Sequence, residues 1–333
     1  MTPTLADEIL RRLVEAGGTP VSGQHLAARM GVTRAAVWKG VEALRRHGYR
    51  VESLPARGYR LVEGGSGLRP GELAAALRTG RLGRAVRHLS RVDSTNREAE
   101  RWAAEGAPEG ALVLAEEQTA GRGRLGRTWA DLPGRSLLLS LLLRPPLPAA
   151  ETPPLTFAAA VALAEALARW VPSRDLELKW PNDVLLGGRK VAGILLEMRS
   201  EGQRTEYVIL GVGVNVEGRS ADYPAEVRAL GTTVAEWASP APRRFDVLCA
   251  FLEAFESAYD AYLASGLSAL LPRWNRWSRL DGQPVRVQTP RGLVEGRALG
   301  LGPTGSLRVD PGGGREVQEV FAGDVERSTT RVP

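Results

Sequence analysis

The stretch "EGGSGLRP" at positions 63–70 divides the chain, and that division limits what either side can become. Glycine and serine closed by proline sustain neither a helix nor a strand, so the apolar segments on the two sides must bury themselves in separate cores. Charge divides at the same place. Residues 1–62 hold ten Lys and Arg against five Asp and Glu, whereas the remaining 271 residues carry 34 against 33. Of a net charge of +6, +5 therefore belongs to one short N-terminal piece. Such asymmetry is expected when a small domain meets a polyanion.

Within that piece, Leu5, Ile9, Leu10 and Leu13 recur at helical spacing. Ser22 is placed to cap a second helix running through Met30, with Gly31 making the turn. Thr33 is placed to cap a third, on which Val37, Val41 and Leu44 form an apolar stripe until Gly48 ends it. Two short helices joined by a glycine turn read as helix-turn-helix. Thr33 opens the third helix, and Arg34, Ala35, Trp38 and Lys39 lie off its stripe, free to enter a major groove. "YRVESLPARGYRL" (49–61) follows as strand, turn and strand with Arg57 at the tip, so residues 1–62 are expected to form a winged helix-turn-helix. A small helical domain with a solvated basic face is the plainer alternative.

After the linker, helical patterns at 96–105, 153–170 and 243–264 alternate with apolar strands at 110–118, 136–144, 176–180, 184–187, 190–198 and 206–216. Residues 71–278 thus read as a mixed α/β layer domain. Residues 279–328 give short strands between Gly and Pro turns, as in a small SH3-like β-barrel. The whole is expected to be an α+β multidomain protein. The longest apolar run, "SLLLSLLL" (136–143), is far short of the roughly 20 residues that cross a bilayer, and the N-terminus lacks the pattern of a signal peptide. Cys249 has no partner for a disulfide, which suits a reducing cytoplasm, and His25, His47 and His88 are too scattered to suggest a zinc site.

The stretch "QTAGRGRLGRTW" (118–129) sets Arg122, Arg124 and Arg127 between glycines. It matches the dinucleotide fingerprint in form, yet it runs through Pro133-Gly134 into a strand, not a helix, and no acid follows at the ribose distance. Any phosphate here must therefore be met by side-chain cations and exposed amides. A solvated turn or a nucleic-acid-binding segment remains open on these residues alone. "DSTN" (93–96) precedes a helix and reads either as its N-cap or as hydroxyl and amide groups for a small polar ligand.

"KWPNDVLLGGRKVAGILLE" (179–197) reads as strand, tight turn and hairpin, placing Asn182 and Asp183 just past a strand end, where open α/β sheets bind ligands. Asp183 is a candidate Mg²⁺ ligand alongside substrate phosphates. Gly193 interrupts the return strand, either as a bulge or where a ligand or backbone approaches closely. Only Lys39, Lys179 and Lys190 among 44 basic residues are lysine, and the last two bracket this motif. A chain so biased should keep a compact ammonium mainly where a guanidinium cannot replace it.

Taken together, the winged helix, "DSTN", "QTAGRGRLGR", "KWPND", "GRKVAGIL", "GVGVNV" (211–216) and the terminal strands resemble the bifunctional biotin–protein ligases that also act as biotin operon repressors. The resemblance spans nearly the whole chain. It implies that Ser94, Thr95, Asn96, Gln118, Arg122, Gly123, Arg124, Lys190 and Gly193 surround biotin and its adenylate. It places Arg122, Arg124, Trp129, Lys179, Asn182 and Asn215 on the adenylate or ATP side. Arg124, Lys190 and Asp183 would be the catalytic set, with Mg²⁺ at Asp183. Implied partners are biotin, ATP, a biotin carboxyl carrier domain, operator DNA and a second copy of the chain in an adenylate-bound homodimer; no membrane is implied. A ligase without DNA binding, a ligand-sensing transcription factor without catalysis, and a lipoate–protein ligase are the rival readings.

Overall fold

The computed structural model describes residues 4–46, 49–63, 68 and 70–327. His47, Gly48 as the stop of the third helix, linker positions 64–67 and 69, and position 328 at the end of the expected barrel lie outside the described residues.

The N-terminal unit comprises α1 (Leu5–Glu15), α2 (Gly23–Met30), α3 (Arg34–Arg46) and a hairpin of β1 (Arg50–Leu54) and β2 (Gly58–Glu63). Thr4 and Asp7 form a reciprocal capping box that starts α1. Gly31, at φ 64°, ends α2 in the left-handed conformation that glycine adopts without strain. Thr33 Oγ1 accepts the Ala36 amide at 3.1 Å and so starts α3. Ser22 stands at the start of α2 but makes no side-chain cap bond. Ile9, Leu10, Leu13, Val37, Val41 and Leu44 are buried together as a core of their own.

The chain continues through α4 (Pro70–Ala76), β3 (Val86–Leu89), α5 (Thr95–Ala104), β4 (Leu112–Ala115), β5 (Ser136–Leu143) and α6 (Leu155–Leu167). Next come β6 (Leu176–Lys179), β7 (Asp183–Leu186), β8 (Arg189–Glu201), β9 (Arg204–Asn215), α7 (Ala225–Arg228), α8 (Arg244–Ser265) and α9 (Leu271–Trp277). Strands β3 to β9 form one sheet in the order β3-β4-β5-β9-β8-β7-β6, parallel only between β3 and β4. Helix α6, "LTFAAAVALAEAL", is apolar nearly all round, and a helix of that kind must be covered on every side. It lies between the sheet and α8, whose Phe251, Phe255 and Tyr259 stack in series. On the opposite sheet face α5 buries Ala99, Trp102 and Ala103 against Val113, Leu142 and Ile209. The rest of that face is left for a cavity.

The C-terminal unit contains β10 (Pro284–Thr289), β11 (Gly292–Leu301), β12 (Leu307–Asp310), β13 (Gln318–Val320) and β14 (Asp324–Arg327), an antiparallel sheet in the order β13-β12-β11-β10-β14. Trp180 Nε1 donates to the Gly305 carbonyl at 3.1 Å and ties this unit to the central sheet. At the other end, α4 packs so closely on α1 that a Cβ on Gly71 would come within 2.0 Å of the Asp7 carbonyl oxygen. Among the described residues no helix is long and apolar enough to cross a membrane.

Candidate active site

The cavity floor follows from the alternation in "GVGVNV". Val212 and Val214 turn toward the main core, leaving Gly211 and Gly213 on the side of α5. A Cβ on Gly211 would sit 2.2 Å from Asn96 Oδ1, and one on Gly213 2.5 Å from Trp129 Cε2. The sheet is bare there so that an amide and an indole can lie against its backbone. Gly193 completes the floor. It pairs with Asp183 and Gly213, and its Cβ would meet Trp129 Cζ3 at 3.0 Å and the Lys190 side chain at 3.1 Å. The β7–β8 register shifts nearby, between Val184 and Leu185, so the bulge falls beside Gly193 and the close approach falls on it.

"DSTN" forms the first wall. Ser94 occupies the N-cap position of α5 yet makes no side-chain cap bond. Gln118 takes that role from 23 residues away, its Oε1 accepting from the Thr95 amide at 2.8 Å and the Thr95 hydroxyl at 3.0 Å. Asp93 accepts the Ser94 amide and pairs with Arg101, and these contacts, Arg101 foremost, hold its carboxyl far below the usual range. Asn96 is buried: Ser140 Oγ donates to its Oδ1 at 2.6 Å, and its Nδ2 donates to Glu197 Oε2 at 2.7 Å.

The glycine–arginine segment is a tight hairpin, closed by Gly123 N to Arg127 O at 2.7 Å and Trp129 N to Gly121 O at 3.0 Å. Its tip residue, Leu125, is exposed and carries φ 55°. The three guanidiniums avoid one another by turning to separate partners. Arg122 pairs with Glu197 at 2.9 Å, Arg124 donates to Asn182 Oδ1 at 3.2 Å, and Arg127 pairs with Asp324 of the C-terminal unit. Burial draws the Arg124 guanidinium below its ordinary pKa, against the pull of Asp324 and Asp183.

The hairpin of β7 and β8 makes the remaining wall. Lys190 Nζ lies 2.7 Å from Asp183 Oδ1 and 5.6 Å from the centre of the Trp129 ring. Asn182 Nδ2 donates to the Ile194 carbonyl at 2.7 Å, which fixes the turn. Trp129 Nε1 is buried with no hydrogen-bond partner, a donor facing a cavity.

Ser94, Thr95, Asn96, Gln118, Arg122, Gly123, Arg124, Trp129, Asn182, Asp183, Lys190 and Gly193 thus converge on one cavity, although 99 positions separate the first from the last. Lys179 and Asn215 do not line it. Lys179 ends β6 opposite Asp183, and Asn215 ends β9 with Nδ2 on the Thr232 carbonyl at 3.1 Å and a buried Oδ1 without a partner. Glu197, which joins Asn96 to Arg122, and Asp324 were not anticipated from the sequence. The only hint of Glu197 is an acid closing the apolar run "VAGILLE" on a strand buried toward the site. In the N-terminal unit, Thr33, Arg34, Ala35, Trp38 and Lys39 form one exposed face at the start of α3, and Arg57 is exposed at the hairpin tip.

A mixed sheet that presents a cation-rich hairpin and a lysine–aspartate pair to one cavity, joined to a winged helix, defines an α/β ligand-handling protein with a DNA-binding module. Comparison with known proteins makes the class specific. The Biotin/lipoate A/B protein ligase family model matches residues 89–215 and an HTH domain model matches residues 6–60. The bifunctional ligase/repressor BirA of Bacillus spizizenii is 35% identical over 98% of this chain and 99% of its own. The biotin–[acetyl-CoA-carboxylase] ligase of Paracoccus denitrificans is 36% identical over 71% of this chain and 99% of its own. The structure of biotin protein ligase from Aquifex aeolicus in complex with biotin and ATP superposes with a TM-score of 0.62 at 26% identity, covering 74% of this chain and 100% of that one. The chain belongs to the family of bifunctional biotin–protein ligases and biotin repressors.

Proposed function

We propose that this protein activates biotin with ATP as biotinyl-5′-AMP, transfers the biotinyl group to a lysine of a biotin carboxyl carrier domain, and represses transcription in response to biotin. The observation that carries the catalytic reading is the meeting of Arg122, Arg124 and Lys190 in one partly buried cavity. A carboxylate must approach a phosphate there, and two like unit charges about 4 Å apart repel by about 4 kcal/mol at an effective dielectric near 20. Fixed cations remove that barrier. The biotin carboxylate attacks the α-phosphate and pyrophosphate leaves; the carrier amine then attacks the mixed anhydride and AMP leaves. No enzyme nucleophile is needed, so positioning and charge carry the chemistry.

Gln118 and the Ser94–Asn96 group orient biotin. Arg122, Gly123 and Arg124 close over the acyl phosphate and keep water from it. Trp129 and Asn182 serve the nucleotide side, and Lys179 and Asn215, which do not line the cavity, take no direct part in it. Lys190, now paired with Asp183, turns to the developing negative charge when the ligands enter. Asp183 and Asp324 are the carboxylates that line the cavity, Asp324 paired with Arg127, and among the described residues no group of three His, Cys, Asp or Glu is placed to hold a metal. That donor set fits Mg²⁺ carried chiefly by substrate phosphates, and Asp183 would hold it. The ion would supply neutralising charge to the polyphosphate.

The test is biotin transfer to a carrier domain, together with biotin-dependent ATP–pyrophosphate exchange. Lys190→Ala should slow exchange by about 10² or more while the protein stays folded; an unchanged rate removes Lys190 from the mechanism. Lipoate offered in place of biotin should give no exchange.

For repression, the exposed face of α3 reads the major groove and Arg57 contacts the backbone. Two copies joined as an adenylate-bound homodimer would engage a two-part operator by linkage. Gel shifts on the region upstream of biotin genes should strengthen when biotin and ATP are both present; binding indifferent to them leaves a ligase alone. The lone Cys249 suits a cytoplasmic setting.

A further inference from the structure

The segment from 117 to 135 leaves the sheet after β4 and returns at β5, carrying the arginine hairpin between. Both of its feet meet one side chain. Arg244, the first residue of α8, is 1% exposed, and its Nη1 lies 2.8 Å from Glu116 Oε2 and 3.3 Å from the Ser136 carbonyl. Glu116 stands immediately before the loop and Ser136 immediately after it. The feet are also laced to each other: Gly134 N donates to the Glu116 carbonyl at 2.9 Å, and Ser136 Oγ accepts the Leu132 amide at 3.0 Å. On its other side Glu116 Oε1 is 2.8 Å from His88 Nε2 on β3. Burial alone would raise the pKa of Glu116, but His88 and Arg244 more than offset it and keep the carboxyl below its usual range.

We propose that Arg244 is a positioning residue that fastens the two feet of the 117–135 loop and thereby sets how firmly the arginine hairpin closes over the bound adenylate. Arg244 does not line the cavity, so its influence passes through the loop. A buried guanidinium is costly unless its partners satisfy it; here Nη1 reaches both the carboxylate and the carbonyl, and a lysine side chain, one bond shorter, stops short of that position.

The retention part of this inference rests on the ligase reading, whereas the loop part does not. Arg244→Lys and Glu116→Gln, both small changes of shape, are examined by hydrogen–deuterium exchange without ligands and by release of biotinyl-5′-AMP. In both variants, amides of residues 119–130 should exchange faster while those of α8 keep their protection. Adenylate should leave about tenfold faster, the change one charge-assisted hydrogen bond makes in an equilibrium, with the maximal exchange rate within about threefold of wild type. The double variant should fall short of the sum of the singles, since the two residues share one contact while Arg244 also holds the Ser136 carbonyl and Glu116 also meets His88. Unchanged loop exchange in either folded variant overturns the proposal, as does a loss of protection spread evenly through α8, β4 and β5. If the wild-type protein forms no adenylate, the ligase reading fails, and the ligand-free exchange data still decide whether Arg244 holds the loop.

Discussion

Glu72 sits where the winged helix meets the central domain, and its ionisation should be measurable as stability. It lies in α4, 4% exposed, with the Tyr49 hydroxyl donating to its Oε2 at 3.1 Å. Burial pushes its pKa up to about 7 from an ordinary 4.5; Tyr49 and Arg243 oppose the shift and Asp246 adds to it. The sign follows from linkage. Between pH 4.5 and 7 the folded protein keeps a proton that the unfolded chain releases. The stability contributed by this site is therefore complete below pH 4.5 and is lost as pH rises through 7. A shift of that size corresponds to about 3 kcal/mol. Glu72→Gln stays neutral and keeps an acceptor for Tyr49. The variant should match wild type near pH 5 and exceed it by up to about 3 kcal/mol at pH 8. Urea unfolding of both proteins from pH 5 to 8, followed by a reporter in the winged helix, measures the gap. Comparing the pair removes the opposite trend from Asp93, Glu116 and Glu256, whose carboxyls are held below their usual values and lose stability as pH falls. A gap that stays flat across this range, or widens toward acid, refutes the reasoning.

Two further outcomes concern the cavity. Gly211→Ala should drive Asn96 off Ser140 and Glu197, costing about 1–3 kcal/mol in thermal or urea unfolding and raising the KM for biotin more than it lowers the maximal rate. Chelation of divalent metal should abolish ATP–pyrophosphate exchange, restored by added Mg²⁺, without moving the melting temperature of the free protein, because among the described residues no group of three His, Cys, Asp or Glu makes a protein-held metal cage.

What the sequence made legible were the features in which one segment carries its own instructions. The stripes on α1 and α3 and the nearly all-apolar α6 declare what they must bury, and the linker and charge asymmetry separate the basic domain before any contact is known. Short elements without such patterning escaped: β3, "VRHL", is four residues long with two polar residues at its centre, and α4 is seven residues long. The site divides along the same line. "DSTN", the arginine hairpin and "KWPND" are local clusters, and their residue types already suggest a polar ligand. The groups that hold them are single residues whose meaning depends on distant ones. Ser94 looks like the cap of α5, yet its side chain makes no cap bond and the oxygen that accepts from the first turn belongs to Gln118. Glu197 appears to be the end of an apolar run until the fold sets it between Asn96 and Arg122, 101 and 75 positions away in the chain. Arg244 is one of 41 arginines, and only its burial against Glu116, 128 positions earlier, distinguishes it. In a chain so rich in arginine, composition hides Arg244, the one arginine among the described residues that is almost wholly buried. Sequence therefore identifies the groups that would meet a ligand, and tertiary structure identifies the groups that hold them there.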